Sequence, residues 1–125
     1  MPVLFARFKG QQQFLGSVPI PGLSLTIPEG AGDDALVTLN VPAPYAVMGS
    51  WTGGRGGVFN IAVDGTVLPD YAEFDYVQSM SSQNMPVRVP VTLVVAVPLK
   101  LKNQTVVALA GNCIIDTSAS LSVLI

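Results

Sequence analysis

Short runs of apolar residues, separated by proline and glycine, recur along the whole chain. The run near the C-terminal end alternates, with Leu121 and Val123 each preceded by a serine. A two-residue period of this kind is typical of a β-strand that buries one face and leaves the other in water. No segment of useful length carries the spacing of an amphipathic helix. The pattern therefore predicts an all-β protein.

The apolar runs predict ten strands, whose ends the turn-forming residues fix to within a few positions. Asp64-Gly65 separates two runs and is the strongest β-hairpin signal in the chain. Pro19 and Pro21 are expected to prevent regular pairing between the second and third strands. Ten short strands favour a two-sheet β-sandwich, and 125 residues suit a single domain spanning positions 1–125. The predicted strands are Val3–Lys9, Gln13–Val18, Leu23–Ile27, Ala35–Val41, Gly57–Val63, Thr66–Leu68, Ala72–Met80, Arg88–Val97, Leu101–Ala110 and Ser118–Leu124.

Two of the predicted strands contain runs that are apolar on both faces, Thr92–Val97 and Val106–Ala110. The outer face of a strand in an antiparallel sandwich meets water unless something covers it. With no helix predicted, a neighbouring subunit is the expected cover. Charged residues make up only 11% of the chain, against about 25% in an average soluble domain. We therefore expect an oligomer, with an apolar-surfaced monomer as the alternative.

Composition excludes several classes of function. A net charge of −2 with scattered cations provides no basic stripe for nucleic acid. The single cysteine, Cys113, permits no intrachain disulfide or cysteine metal site, and its surroundings predict a buried apolar side chain. The N-terminal stretch is interrupted by Arg7 and Lys9, unlike a signal peptide, and the longest uncharged run, 35–54, contains helix-breaking prolines and glycines. We expect a soluble protein without a cofactor, a metal or membrane insertion; its location stays open, with leaderless export or cell-surface association as alternatives.

The chain has no histidine, which removes the side chain most used for proton transfer near neutral pH. Asp70, Glu73 and Asp75 form an acidic cluster with three alternatives: a solvated strand, part of a ligand site, or a calcium or catalytic pair. Trp51, beside the glycine-rich stretch 53–57, is either partly buried or free to stack on a sugar. A binding protein is thus favoured over an enzyme, with a hydrolase acting through the acidic cluster as the enzymatic alternative.

Five segments, in order along the chain, resemble one known family. LNVPAPY and the closing SASLS are its most specific matches. The family is that of tumour-necrosis-factor-like (TNF-like) bacterial lectins, represented by the N-terminal domain of the Burkholderia fucose-binding superlectin. The resemblance implies a TNF-like jelly-roll homotrimer that binds glycans, fucosylated ones among them, at sites between protomers. The matching segments are Ile20–Leu23, Leu39–Ala46, Phe74–Tyr76, Arg88–Val94 and Ile115–Ser122.

The same resemblance implies the centre of a sugar site. Tyr45 matches a sugar-contacting tyrosine, Arg88 one of two arginines, and Asp116 an aspartate of the site. Thr117 stands where the family has serine, so a hydroxyl is kept. Arginine and carboxylate bridge adjacent sugar hydroxyls well, and an aromatic face suits the apolar side of the ring. The alternatives are a solvated charge at a strand end for Arg88 and a turn-forming role for Asp116.

Four further positions are related to the family pattern less closely. Phe59 stands where the family has a second tyrosine, which keeps the ring and loses the hydroxyl. Asp75 replaces a threonine, and together with Phe59 and Tyr76 it is expected to shape the pocket. Leu109 stands where the second arginine would be, so one charged donor is missing. This loss leaves a structural or protein-binding trimer on the same scaffold as the alternative to a lectin.

Overall fold

The computed structural model describes residues 3–45, 57–74 and 88–125. In these ranges the chain forms ten β-strands and no helix, which confirms the all-β prediction. The described part contains no helix long and apolar enough to cross a bilayer. The strands are β1 (Val3–Lys9), β2 (Gln12–Phe14), β3 (Val18–Ile27), β4 (Asp34–Val41), β5 (Val58–Val63), β6 (Thr66–Glu73), β7 (Val91–Pro98), β8 (Gln104–Gly111), β9 (Cys113–Ile115) and β10 (Ser118–Leu124).

Eight of these strands form two four-stranded antiparallel sheets. Sheet 1 has the order β1-β10-β4-β7, and sheet 2 has the order β3-β8-β5-β6. Strands β2 and β9 pair separately as a short two-stranded ribbon. Each sheet takes strands from both halves of the chain, and this strand order is that of a jelly roll. The β-sandwich prediction is therefore confirmed.

The core lies between the two sheets and follows from strand alternation. In β7, Val91, Leu93, Val95 and Val97 point inward and are buried, while the residues between them are exposed. A two-residue period places alternate side chains on opposite faces, so one face of each strand supplies the core. Sheet 2 contributes in the same way, for example through Ile61, which is fully buried.

Strands β1 and β10 have the predicted bounds, whereas β3 begins earlier than expected and includes both prolines. Pro19 pairs with Leu109 and the next paired residue is Ser24, so the ladder to β8 is interrupted between them. The prolines therefore do not separate two strands as predicted, and the irregularity lies inside one strand, in the pairing of β3 with β8. Proline cannot donate a ladder hydrogen bond and is found in sheets at edges or irregularities, and β3 is an edge strand of sheet 2.

The predicted hairpin at Asp64-Gly65 joins β5 to β6. Both residues have positive φ, 50° at Asp64 and 83° at Gly65, as a two-residue turn between twisted strands requires. The turn is also tied to β8, because Asp64 N donates to the Thr105 carbonyl at 2.9 Å and Asp64 Oδ1 accepts from Thr105 N at 2.9 Å. The hairpin is therefore fixed to sheet 2 by backbone and side chain.

Other bounds differ from the prediction. β9 had no sequence signal, and it is separated from β8 by Asn112 in the left-handed region at φ 56°. β7 begins at Val91, so Arg88 precedes the strand instead of opening it. The predicted strand Ala72–Met80 is represented by the end of β6 up to Glu73. Phe74 follows this strand, and residues 75–80, with Trp51 and most of the glycine-rich stretch, lie outside the described residues.

Candidate functional site

Three residues from separate loops meet at one end of sheet 1. Tyr45 follows β4, Arg88 precedes β7, and Asp116 lies between β9 and β10. Since β4 is antiparallel to both β7 and β10, the end of β4 lies beside the starts of its two neighbours. The jelly-roll topology thus brings together residues that are far apart in sequence.

Arg88 and Asp116 form a two-point ion pair. Arg88 Nη1 lies 2.5 Å from Asp116 Oδ1, and Nη2 lies 2.8 Å from Oδ2. Arg88 Nη1 also donates to the carbonyl of Ala43 at 3.0 Å. The side chains are 44% and 21% exposed, so the pair is held in a fixed geometry at the surface, where a ligand can reach it. Such parallel bonds are among the strongest and most directional in proteins.

Tyr45 supplies an aromatic ring beneath the guanidinium of Arg88. The guanidinium carbon lies 4.7 Å from the ring centroid, within the range of a cation–π contact. The backbone of Tyr45 is bonded in both directions to Ile114, at 3.1 Å and 2.8 Å. Val89 N donates to the Pro44 carbonyl at 3.1 Å, which ties the Arg88 loop to the Tyr45 loop. The three loops therefore hold one another in place.

The ion pair keeps both groups charged over a wide pH range. The hydrogen bond from Arg88 lowers the pKa of Asp116 below its ordinary value of 3.8, against a smaller opposing effect of burial. The hydrogen bond to Asp116 likewise raises the pKa of Arg88. Asp116 is therefore an ionised hydrogen-bond acceptor throughout the neutral range.

Tyr45, Arg88 and Asp116 together form a surface cluster, which retains hydrogen-bonding capacity after the bonds among its own residues are made. Arg88 has five N–H groups, of which three are used by Asp116 and Ala43, so two donors remain. Each carboxylate oxygen of Asp116 has a further lone pair. Donors and acceptors therefore stand side by side, an arrangement suited to two neighbouring hydroxyl groups of one ligand.

The remaining positions implied by the family resemblance have different environments. Thr117 is exposed and follows Asp116 directly, and its carbonyl accepts from Gly10 N at 3.4 Å. Phe59 is fully buried in the core and stacks on Phe74, with ring centroids 6.2 Å apart. Asp75 and Tyr76 lie outside the described residues. The structure thus groups Thr117 with the cluster and gives Phe59 a core role.

The burial of Phe59 follows from strand parity. Phe59 and Ile61 share the inward face of β5, and Asn60 between them points outward. Leu109, in place of the family's second arginine, pairs with Asn60 on the outer face of sheet 2 and is 9% exposed. The alternation Phe-Asn-Ile was visible in the sequence and is the signal that would have assigned Phe59 to the core.

Neither the cysteine nor the acidic residues form a reactive site in the described ranges. Cys113 is fully buried, as predicted, and burial raises the pKa of its thiol to about 12. Asp70 and Glu73 are exposed on β6, and no three histidine, cysteine or acidic residues in the described ranges are grouped to hold a metal ion. The third acidic residue, Asp75, lies outside those ranges.

Sequence reasoning did not identify the carbonyl of Ala43 or the stacking of Arg88 on Tyr45. Both contacts depend on the folding back of the 42–45 segment onto the loop before β7. No residue type in the sequence marks a backbone acceptor, so the Ala43 contact had no signal. Tyr45 and Arg88 had been linked only through the family resemblance.

Comparison with known proteins identifies a family to which the chain is similar. The model of the family described as "Bc2l-C, N-terminal domain" matches residues 11–124, which is nearly the whole chain. No curated protein matches the chain. The matched range contains all three members of the surface cluster.

Proposed function

Since this chain belongs to the Bc2l-C N-terminal domain family, we propose that it binds carbohydrate through a site centred on Tyr45, Arg88 and Asp116. The single observation that carries this proposal is the two-point Arg88–Asp116 pair, held at the surface against the ring of Tyr45. The family match supports the resemblance to TNF-like lectins drawn from the sequence.

The free donors of Arg88 and the lone pairs of Asp116 are suited to bridge two adjacent sugar hydroxyls. Thr117 adds a hydroxyl on the exposed side of the cluster. One face of the Tyr45 ring is covered by Arg88, so an apolar sugar face would stack on the other. We propose binding rather than catalysis, because the chain has no histidine and, among the residues that the structure describes, this cluster holds no second carboxylate.

We propose further that the chain assembles into a homotrimer through the outer face of sheet 1. At one end of that face, Val3, Leu124, Leu36 and Ala96 lie in one cross-strand row. Phe5 lies in the next row and is 61% exposed. Apolar side chains grouped in this way are characteristic of subunit contacts.

The opposite end of the same face is polar. Arg7, Ser120, Asn40 and Thr92 lie in one row, close to the loops that carry the cluster. An assembly sealed by the apolar rows would therefore place the polar row and the cluster at the seam between protomers. Three weak sites on one trimer would gain apparent affinity by engaging one glycan-covered surface together.

A second candidate function is a structural or protein-binding trimer without sugar binding. Leu109 supports it, because this apolar residue stands where the resembling lectins have a charged donor. A site without that donor would discriminate less well among sugars. Fucose recognition is therefore a narrower hypothesis than carbohydrate binding.

A glycan array with the wild-type protein, Arg88→Ala and Arg88→Lys tests the proposal. The wild type is expected to bind, and Arg88→Ala is expected to lose binding. Arg88→Lys keeps the charge but not the two-point geometry, so it is expected to bind about tenfold more weakly. The ion pair is exposed and contributes about 1 kcal/mol at most, so the melting temperature is expected to fall by only a few degrees.

Three results would contradict this assignment. No array signal at high protein loading would favour the structural trimer. Collapse of the fold in Arg88→Ala would make Arg88 a structural residue. Unchanged binding by that variant would place the sugar site elsewhere.

A further inference from the structure

A cleft lies at the other end of the sandwich, where the β5–β6 hairpin meets the segment between β7 and β8. Its volume is about 390 Å³, within the range of about 300–1,000 Å³ typical of small-molecule sites. Its lining combines apolar and polar side chains. The residues that matter here are the apolar Val63, Leu68 and Val97 and the polar Lys100, Lys102 and Gln104.

The cleft is positively charged in an acidic protein. It holds two of the chain's six cationic side chains. Lys102 Nζ lies 3.6 Å from Asp64 Oδ2, and Asp64 is the one acidic residue of the lining. Within the described ranges, Lys100 has no carboxylate at ion-pair distance. Two lysines against one aspartate leave a local charge of +1, whereas the whole chain carries −2.

Gln104 brings a buried polar group to the same cleft. It is 3% exposed and is the only buried polar side chain among the described residues. Its Oε1 accepts a hydrogen bond from Lys100 N at 2.8 Å, which fixes the amide. In the described part of the chain no acceptor is bonded to its Nε2. A buried donor without a partner is costly, so a ligand oxygen at this position would be favoured.

We propose that this cleft binds a small organic carboxylate with an apolar body. The carboxylate would lie between Lys100 Nζ and Gln104 Nε2, and the apolar body would pack on Val63, Leu68 and Val97. The cleft lies at the far end of β7 from Arg88. An eight-residue strand spans on the order of 25 Å, so the two sites are separate.

Titration of ¹⁵N-labelled protein with octanoate, followed by NMR, tests this site. The amide signals of Asp64, Lys100 and Gln104 are expected to shift and to saturate at millimolar ligand. Octanamide has the same apolar body without the charge, and it is expected to bind about fivefold more weakly. Absence of saturable shifts at these amides, or equal binding of the two ligands, would overturn the proposal.

Two matched variants separate a local contact from a general charge effect. Lys100→Gln removes a lysine of the cleft, and octanoate is expected to bind it about fivefold more weakly. Lys9→Gln removes the same charge from an exposed position on β1, and binding is expected to be unchanged. Equal weakening in both variants would refute the site.

The sugar site provides an internal control for the same experiment. Arg88→Ala is expected to keep octanoate binding, and Lys100→Gln is expected to keep glycan binding. If the cleft failed to bind octanoate, the carbohydrate proposal would be unaffected. If the protein failed to bind glycans, the proposal for the cleft would likewise be unaffected. Loss of octanoate binding in Arg88→Ala would contradict the separation of the two sites.

Discussion

At the scale of single residues, the Arg88–Asp116 pair combines fixed geometry with exposure. Each partner is positioned by the other, and Arg88 is held in addition by the Ala43 carbonyl and the Tyr45 ring. A surface pair of this kind contributes little to stability because water screens it. Its value lies in presenting donors and an acceptor in a set orientation, which lowers the ordering cost when a ligand binds.

The proposed sugar binding is expected to depend on pH through this pair. Asp116 has a lowered pKa in the folded state. The stabilisation that its ion pair with Arg88 provides is therefore complete above the unfolded pKa and is lost as pH falls through the folded value. With no histidine in the chain, binding is expected to stay constant from about pH 8 to about pH 5 and to decline only below the ordinary aspartate pKa. Binding isotherms across this range measure it. Asp116→Asn is the control: its binding is expected to be weaker at every pH, and any residual binding is expected to show no decline in acid. A midpoint near neutral pH would show that another group governs the site.

At the scale of elements, the β8–β9 corner shows how closely two backbones approach. A methyl group on Gly111, at the end of β8, would overlap the carbonyl oxygen of Gly16 in the segment between β2 and β3. That carbonyl belongs to the backbone and cannot rotate away as a side chain can. The next residue, Asn112, has φ 56°, a conformation that glycine adopts freely and other residues rarely do. At this corner a larger side chain at position 111 is therefore expected to be unfavourable, whereas glycine at position 112 is expected to be tolerated.

The substitutions Gly111→Ala and Asn112→Gly make this a testable pair. Gly111→Ala is expected to reduce the free energy of unfolding by about 1–3 kcal/mol, because the added methyl forces two backbones apart. Asn112→Gly is expected to leave it nearly unchanged, since glycine suits the positive φ. Urea unfolding of both variants measures the difference. Equal stability of Gly111→Ala and the wild type would mean that the corner relaxes without cost.

At the scale of the whole molecule, the two sheets have unlike outer surfaces. Sheet 1 groups exposed apolar residues from all four of its strands in adjacent rows, ending in a polar row beside the surface cluster. On sheet 2, the outer-face residues Val107 and Leu109 are already half-buried or buried within the single chain. The outer faces of the two sheets both look apolar in the sequence, but they are not equivalent as candidate interfaces. We expect neighbouring subunits to cover the outer face of sheet 1.

Two valines with matched exposure test this expectation. Val94 on sheet 1 is 52% exposed and Val67 on sheet 2 is 50% exposed. Val94→Glu is expected to convert the proposed trimer into monomers and to weaken the proposed glycan binding, because a charge in an apolar seam loses its hydration. Val67→Glu is expected to leave the assembly unchanged. Sedimentation at micromolar concentration measures both. A one-subunit mass for the wild type, or a trimer that survives Val94→Glu, would contradict the assignment of the interface.

The sequence determined those features that depend on near neighbours in the chain. The alternation in β10 and the Asp64-Gly65 turn were predicted correctly, because side-chain parity and turn conformation are local properties. Strand ends were less well predicted where pairing decides them, as for β3, which includes both prolines at the edge of sheet 2 with an irregular ladder to β8 beside them. β9 is a strand because β2 pairs with it, and its three residues carried no signal of their own.

Only the tertiary structure decided which residues meet. Arg88 is 28 positions from Asp116 and 45 from Ala43, and no local rule joins residues at such separations. Strand pairing across the jelly roll brings them to one end of sheet 1. The alternation of side chains along β5 places Phe59 in the core instead. The cleft around Lys100 and Gln104 arises in the same way, from two sheets meeting at their ends. Local preferences set what each segment becomes, and the burial of apolar faces between sheets sets which segments become neighbours.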